Sequence, residues 1–228
     1  MPKHPAATSP CIQTDLFADT ALSALPDVVM AEGAMLLRRF ATAQAPALLH
    51  AVETVIAQAP LRHMVTPGGY RMSVAMTNCG KTGWVTDRTG YRYVALDPVS
   101  GRVWPPLPDV LLDMAQRAAV YTGFDSFVPD ACLINCYTPG TRLSLHQDAN
   151  ERNTKAPVVS ISLGLPAMFL FGGNARTDKT QRHRLEHGDV AVWGGPARLA
   201  FHGIAPLADG MHPLLGRKRL NITFRTAL

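Results

Sequence analysis

Three metal-binding side chains, His146, Asp148 and His202, are the strongest chemical signal in the sequence. His146 and Asp148 lie in LSLHQD, which alternates apolar and polar residues as a β-strand does. Alternate residues of a strand face the same side, so both side chains can reach one ion. His202 follows a second apolar segment further along the chain. Two neutral imidazoles and one carboxylate form the facial set that suits non-haem Fe(II) and leaves coordination positions open.

A second set of polar side chains alternates along the final segment, RLNITFR. Arg219, Asn221 and Arg225 share one face of this predicted strand, while its apolar residues share the other. Two guanidinium groups on a buried face need anions to neutralise them. Asn135 and Tyr137, two apart on another predicted strand, offer an amide and a hydroxyl for the same ligand. A dicarboxylate beside a metal site predicts a dioxygenase that uses Fe(II), O2 and 2-oxoglutarate.

These residues also have simpler interpretations. A histidine and an aspartate two apart are common on protein surfaces, and a single histidine such as His202 is more often hydrogen-bonded than metal-bound. Arg219 and Arg225 lie about 20 Å apart on an extended strand, so they would have to lean toward each other to share one diacid. The metal interpretation is favoured because the HxD pair follows a Pro-Gly turn and His202 precedes the arginine-rich strand. By contrast, His183 and His187 lie in the charged segment RHRLEHG, which is typical of a solvated turn.

Aromatic and basic residues are interleaved in a glycine-rich stretch. Trp84, Tyr91 and Tyr93 alternate there with basic side chains, among them Arg92. Such a pattern can stack nucleic-acid bases and hold phosphates. A small hydrophobic cluster is the alternative, and without the metal site it would be preferred.

The periodicity of the chain predicts the elements that position these residues. Apolar residues at helical spacing predict amphipathic helices over 45–58 and 109–121. Between them, the segment 61–107 is rich in glycine, proline and aromatic residues and is predicted to form short strands joined by turns. Further short strands are predicted over 132–137, 142–148, 158–165, 168–171, 190–193 and 220–225. This pattern favours a mainly β (α+β) fold, a jelly-roll or double-stranded β-helix with helices buttressing one side.

Bulk properties set limits on the class of protein. The 228 residues suffice for one well-buried domain, and the net charge of +5 allows a nucleic-acid partner without requiring one. The four cysteines lack zinc-site spacing, so we expect a reduced, cytoplasmic protein. The N-terminus lacks a signal-peptide pattern, and no apolar run approaches the roughly 20 residues that span a bilayer. We expect a monomer with no membrane partner.

With these residues in place, the chain resembles the AlkB family of DNA-repair dioxygenases, in particular its bacterial members. The similarity extends from LFAD at 16–19 to the C-terminus. Its most specific motifs are MTNCGxxGW, NCYxPG, LSLHQD, VSISLGLPA, LEHGDVxVWGG and the closing RxNxTFR. Several long matches in one order are a highly specific signal of family membership.

The resemblance implies roles for the residues of the predicted metal site. The two histidines and the aspartate would hold Fe(II). Arg219, with Tyr137 and Asn221, would hold the distal carboxylate of 2-oxoglutarate. Arg225, with Asn135, would lie against the metal-bound end of the same molecule.

For the substrate, the resemblance implies a flipped-out base stacked between Trp84 and His146. The stretch from Tyr91 to Tyr93 would line the phosphate and lid region, and Arg176 would reach the base or its backbone. The full set of implied substrate-binding residues is Met76, Trp84, Tyr91, Arg92, Tyr93, Asn150 and Arg176. Residues 1–30, rich in proline, alanine, serine and threonine, are predicted to form an irregular arm, and 31–228 a single dioxygenase domain. Within that domain, 61–107 would form a nucleotide-recognition lid and 131–228 the catalytic jelly-roll core.

The implied reaction is oxidative demethylation of 1-methyladenine and 3-methylcytosine in single-stranded DNA, with double-stranded DNA and RNA as further candidates. One departure affects the choice of lesion. Bacterial members similar to this chain carry an acidic residue two places after the metal aspartate, where this chain has Asn150. An amide brings no charge to a cationic base, and charge-assisted hydrogen bonds are the stronger kind. The neighbouring Glu151 is a candidate to compensate.

Two other functions stay open on the sequence alone. A dioxygenase of the same fold that acts on a protein or a small molecule would keep the metal and diacid residues, but it would not need the aromatic and basic stretch. A non-enzymatic nucleic-acid-binding module with a vestigial iron site would keep that stretch, but it would not need all three metal ligands.

Overall fold

The computed structural model describes residues 26–228. Most of the arm predicted over 1–30, and the LFAD motif at 16–19, lie outside this range. The strands are β1 (Val28–Ala31), β2 (Ala34–Leu37), β3 (Ala75–Gly80), β4 (Gly83–Asp87), β5 (Gly90–Val94), β6 (Ala131–Tyr137), β7 (Leu143–His146), β8 (Val158–Gly164), β9 (Ala167–Phe171), β10 (Gln181–Leu185), β11 (Val190–Trp193), β12 (His202–Ile204) and β13 (Arg219–Arg225). The helices are α1 (Ala45–Gln58) and α2 (Asp109–Tyr121).

Two antiparallel sheets form the body of the structure. The large sheet has seven strands in the order β1-β2-β11-β8-β13-β6-β3, and the small sheet has four in the order β10-β9-β12-β7. β4 and β5 form a separate two-stranded hairpin. Within residues 26–228, this mainly β architecture, with two α-helices, confirms the predicted jelly-roll.

The large sheet separates two hydrophobic clusters. On one face, Ile134, Ile161 and Ile222 pack against the buried sides of α1 and α2. On the other face, Phe169 of the small sheet and Trp193 of the large sheet belong to one inter-sheet cluster. Burial of apolar surface is the main favourable term in folding, so it determines the direction in which each face of β13 points. Its apolar residues face the helices, and its polar residues face the space between the sheets.

Both helices have the bounds that their periodicity predicts. Leu48, Val52 and Val55 lie on the buried side of α1, and Leu111 and Met114 lie on that of α2. Neither helix is long and apolar enough to cross a membrane.

Two predictions about strands are wrong. One concerns the strand at the metal site, and the other concerns the segment predicted to be a solvated turn. The strand predicted over 142–148 ends at His146, so Asp148 lies in the irregular segment that follows. The charged segment RHRLEHG is not a solvated turn throughout. Its first part belongs to β10, which pairs with β9 in a continuous register from Gln181 to Leu185. His183 therefore lies on a strand opposite Phe169.

Among the described residues, strands from outside the range 131–228 also belong to the large sheet. β3 lies within 61–107 but pairs with β6 over six residues as an edge of the large sheet. Outside 131–228, β1 and β2 also belong to that sheet, and β1 begins at Val28, inside the range predicted for the arm. These short strands lack a distinct alternation of their own, and their pairing partners lie far away in the sequence.

Candidate active site

The three predicted metal ligands meet at one end of the small sheet. His146 ends β7, and His202 begins β12 directly opposite it in the antiparallel register. Asp148 reaches the same point from the segment after β7. The ligand atoms of the three residues lie within 4.8 Å of one another. One ion can therefore contact all three.

Backbone hydrogen bonds fix both imidazoles with the same nitrogen outward. Nδ1 of His146 lies 2.9 Å from the carbonyl of Ser144, and Nδ1 of His202 lies 2.9 Å from the carbonyl of Ala200. A carbonyl accepts, so Nδ1 carries the proton and Nε2 keeps its lone pair. Burial lowers the pKa of His202 to about 3, so this ring is neutral at ordinary pH. Both rings are thus prepared as nitrogen ligands.

Asp148 supplies the single anionic ligand, and Arg225 holds it ionised. Burial raises the pKa of Asp148, but the charge of Arg225, the neighbouring imidazoles and the hydrogen bond from Arg225 together hold that pKa below its usual range. Arg225 donates from Nη2 to Oδ1 at 3.0 Å. Its Nε lies 2.9 Å from Oδ2 without the alignment of a hydrogen bond. Oδ2 lies 3.7 Å from His202 Nε2 and is left free to coordinate.

This donor set fits Fe(II). Two imidazole nitrogens and one carboxylate oxygen lie within 4.8 Å of one another, and all three residues line one cavity. Three protein ligands leave positions for a bound co-substrate and for O2.

Arg219 forms a second centre in the same cavity. It is 1% exposed, donates from Nη2 to Ser162 Oγ at 3.1 Å, and lies with its Cζ 4.9 Å from the centre of the Tyr137 ring. Its Nε and Nη1, and the hydroxyl of Tyr137, have no hydrogen-bond partner among the described residues. Burial lowers the pKa of Arg219, as expected of a cation removed from water. A carboxylate here would satisfy all three groups, which fits one end of 2-oxoglutarate.

The remaining predicted co-substrate residues lie beside Arg219 on the inner face of the large sheet. Asn135 donates to Asn221 at 3.1 Å, and Asn221 donates to Ser160 Oγ at 2.7 Å. Oδ1 of Asn135 has no partner within residues 26–228. The sequence predicted that both arginines need the diacid as a counter-ion. Arg225 does not need it, because Asp148 already neutralises its charge.

One cavity of about 900 Å³ connects the metal ligands with Arg219 and the surface. Its volume is typical of a small-molecule site. Of the predicted substrate residues, Met76, Trp84, Tyr91, Asn150 and Arg176 line it. The rings of Trp84 and Tyr91 stack with centroids 5.7 Å apart. A flat aromatic surface therefore stands at the wall of the cavity.

Three predicted substrate residues have partners of their own. Arg92 pairs with Asp87 at 2.6 Å, and its side chain is not among those that line the cavity. The hydroxyl of Tyr93 donates to Glu151 at 2.5 Å, behind the cavity wall. Arg176 does line the cavity, where it donates to the carbonyl of Leu145 at 3.0 Å.

Two buried residues near the metal site, Arg198 and Glu151, have contacts that the sequence did not predict. Arg198 is 3% exposed and donates to the carbonyl of Asp148 at 2.7 Å. Glu151 is 6% exposed and pairs with Arg198 at 3.2 Å. The carboxylate of Glu151 is thus already bound and does not replace the missing charge at Asn150. An arginine in the sequence PARLA carries no signal of burial, so sequence reasoning had no means of finding Arg198.

Known proteins are similar to this chain in sequence and in fold. The 2OG-Fe(II) oxygenase superfamily matches residues 33–225. The alpha-ketoglutarate-dependent dioxygenase AlkB of Salmonella typhimurium is 55% identical over 213 residues, which cover 93% of this chain and 97% of that protein. The DNA N(6)-methyladenine demethylase ALKBH1C of Arabidopsis thaliana is 41% identical over 109 residues, which cover 43% of this chain and 24% of that protein. The solved structure of OsALKBH1 has a TM-score of 0.76 at 29% identity and covers 88% of this chain and 100% of that chain.

The fold, the metal ligands and these matches agree on one class of enzyme. The chain belongs to the 2OG-Fe(II) oxygenase superfamily and, within it, to the AlkB dioxygenases. It is a 2-oxoglutarate-dependent dioxygenase whose cofactor is Fe(II) and whose co-substrates are 2-oxoglutarate and O2.

Proposed function

We propose that this dioxygenase removes methyl groups from the Watson–Crick nitrogens of nucleic-acid bases, with 1-methyladenine and 3-methylcytosine in single-stranded DNA as its substrates. The observation that carries the proposal is the composition of one cavity. The metal ligands, Arg219 and the stacked rings of Trp84 and Tyr91 all line it. The name of the Arabidopsis relative, a DNA demethylase, supports a nucleic-acid substrate.

A methylated base can enter this cavity only when it leaves the stack. A methyl group on a Watson–Crick nitrogen is inaccessible in a duplex, and it weakens pairing, so extrusion costs less for the damaged base. Trp84 and His146 both line the cavity, so the extruded base would stack between their rings. Arg176 is exposed at the cavity and can meet a phosphate or a base edge. The methyl group would then be directed toward the metal site.

The protein residues divide the work of the reaction. His146, Asp148 and His202 would hold Fe(II), which with 2-oxoglutarate and O2 supplies an oxidant for the methyl C–H bond. Arg219 and the Tyr137 hydroxyl would bind one carboxylate of 2-oxoglutarate and so orient the other end toward the metal. The products of the co-substrates are succinate and CO2. The hydroxymethyl group left on the base nitrogen collapses to formaldehyde and the intact base.

The site and the net charge of the protein favour a single-stranded nucleic acid as its partner. A single strand presents its bases without the cost of unpairing, which favours it over a duplex. The net charge of +5 favours approach to a polyanion. A monomer acting in the cytoplasm is the simplest setting for such an enzyme.

Mass spectrometry of oligonucleotides that each carry one defined lesion tests the proposal. We expect a loss of one methylene unit from 1-methyladenine and 3-methylcytosine, faster in single-stranded DNA than in duplex DNA or RNA. Succinate should appear in equal amount. Turnover of methylated peptides or free nucleosides in preference to oligonucleotides would refute the nucleic-acid substrate. Oligonucleotide binding without succinate release would indicate a non-enzymatic module instead.

A further inference from the structure

Asp148 is held in place by side chains rather than by a strand. β7 ends two residues before it, so no sheet hydrogen bonds fix its backbone. Arg198 donates to its carbonyl at 2.7 Å, and Arg225 donates to its carboxylate at 3.0 Å. The position of this metal ligand therefore depends on two buried guanidinium groups.

Glu151 is the counter-ion that both guanidinium groups share. Its carboxylate lies 3.2 Å from Arg198 Nη2 and 3.5 Å from Arg225 Nε, and the residue is 6% exposed. Two buried arginines thus face two buried carboxylates, Asp148 and Glu151. Removing either carboxylate would leave an uncompensated buried charge, which is strongly unfavourable.

Tyr93 connects this buried group to the hairpin formed by β4 and β5. Its hydroxyl donates to Glu151 Oε1 at 2.5 Å, and burial raises the pKa of Tyr93, so the phenol keeps its proton. On the hairpin, Tyr93 pairs directly with Trp84, whose ring stacks on Tyr91. Within residues 26–228, this is the side-chain hydrogen bond that joins the hairpin to the segment 131–228. The other side-chain bonds of the hairpin to the rest of the chain reach residues before 131.

We propose that Tyr93 and Glu151 are a pair of positioning residues that couple the hairpin carrying Trp84 to the metal ligand Asp148. The inference rests on the proposed function, because the hairpin is taken to contact the base. When a base engages Trp84, the position of the hairpin acts through Tyr93 and Glu151 on the guanidinium groups that hold Asp148. Coupling between two sites is reciprocal, so base binding should tighten metal binding by the same factor as the metal tightens base binding.

The test measures the factor by which an oligonucleotide tightens metal binding. Co(II) replaces Fe(II), and its binding in the presence of 2-oxoglutarate is followed by visible absorption, with and without an oligonucleotide carrying one 1-methyladenine. We expect the oligonucleotide to tighten Co(II) binding by about fivefold or more in the wild-type protein. Tyr93→Phe removes only the hydroxyl and should lower this factor by about fivefold, the loss expected of one hydrogen bond.

Two further variants separate positioning from general structure. Tyr121→Phe is the matched control, since Tyr121 is exposed on α2, and it should keep the wild-type factor. Glu151→Gln keeps an acceptor for Tyr93 but loses the counter-ion, so it should weaken Co(II) binding even without the oligonucleotide. Thermal unfolding of each variant checks that its fold is kept.

The outcomes distinguish this inference from the proposed function. An unchanged factor in Tyr93→Phe, or an equal loss in Tyr121→Phe, overturns the positioning role. If the wild-type protein binds the oligonucleotide, as measured by fluorescence anisotropy, but its Co(II) affinity does not change, the coupling alone is overturned. A wild-type protein that fails to bind the methylated oligonucleotide overturns the proposed function together with the coupling.

Discussion

Arg225 donates from Nη2 to Oδ1 of Asp148 at 3.0 Å, so a buried ion pair joins the last strand to the metal ligand. The pair holds one carboxylate oxygen and leaves the other 3.7 Å from His202 Nε2. The two arginines of β13 therefore differ in their charge balance. Arg225 is neutralised by the protein, whereas Arg219 is left for a ligand.

The first prediction concerns the metal ligand. Asp148→Asn keeps the shape of the side chain but removes its charge, so it should abolish turnover and weaken Fe(II) binding. It also removes the charge of the buried carboxylate that pairs with Arg225, and breaking a buried ion pair costs about 3–5 kcal/mol of stability. Succinate release, chelator competition for iron and thermal unfolding measure these effects. Asp125→Asn, on an exposed loop, is the control and should change none of them. Near-normal turnover of the Asp148→Asn variant with iron bound would contradict the assignment.

The second prediction concerns the diacid. Arg219→Met replaces a buried, unpaired cation with an apolar side chain of similar length, so the protein without ligand should become more stable. Binding of 2-oxoglutarate should weaken by about 30-fold or more, because a buried carboxylate would lose its partner at a cost on the order of 2–5 kcal/mol. Thermal unfolding without ligand and titration of 2-oxoglutarate measure the two opposite effects. Arg182→Met, on the exposed side of β10, should alter neither. An unchanged titration would mean that another basic residue binds the diacid.

The alternation of apolar and polar residues predicted which side chains of β13 face the cavity, because burial of the apolar residues determines that orientation. Ile222 and its apolar neighbours must pack against the helices, and this forces Arg219 and Arg225 toward the cavity. The bounds of α1 and α2 were predicted for the same reason. The position of Asp148 was not, since it depends on Arg198 and Arg225, 50 and 77 residues away in the chain. No local pattern encodes contacts of that separation.

The third prediction concerns pH and a histidine pair away from the active site. His187 and His212 stack with centroids 4.5 Å apart, and Gly164 donates to His187 Nδ1 at 3.0 Å. Burial lowers the pKa of His187, as do the charges of His212 and Arg39, and burial lowers the pKa of His212. The unfolded chain thus binds more protons, so the free energy of unfolding should fall as pH drops below about 6.5 and stay level above it.

Two substitutions test this pH dependence. His187→Gln keeps an acceptor for the Gly164 N–H but does not titrate, so its loss of stability between about pH 7.5 and about pH 5.5 should be smaller than that of the wild type. The loss should persist in part, because burial also lowers the pKa of His202. His50→Gln, on the exposed side of α1, should keep the wild-type slope. Urea unfolding at a series of pH values gives the slopes. Equal slopes for the His187 variant and the wild type would exclude a role for the pair.

The last prediction concerns Asn150, which is exposed and lines the cavity. Both 1-methyladenine and 3-methylcytosine carry a positive charge at neutral pH, whereas ethenoadenine is neutral and has no free exocyclic amine. A carboxylate at this position would favour the charged bases, and the nearby Glu151 cannot supply it because its carboxylate is bound to Arg198 and Tyr93. Asn150→Asp should therefore raise the rate on charged lesions relative to ethenoadenine by up to about tenfold, as the gain of charge in one hydrogen bond suggests. The ratio of initial rates on matched single-lesion oligonucleotides measures this, with Asn153→Asp, in the loop that follows, as the control. A ratio that stays flat in Asn150→Asp, or that rises equally in the control, would mean that position 150 does not contact the base.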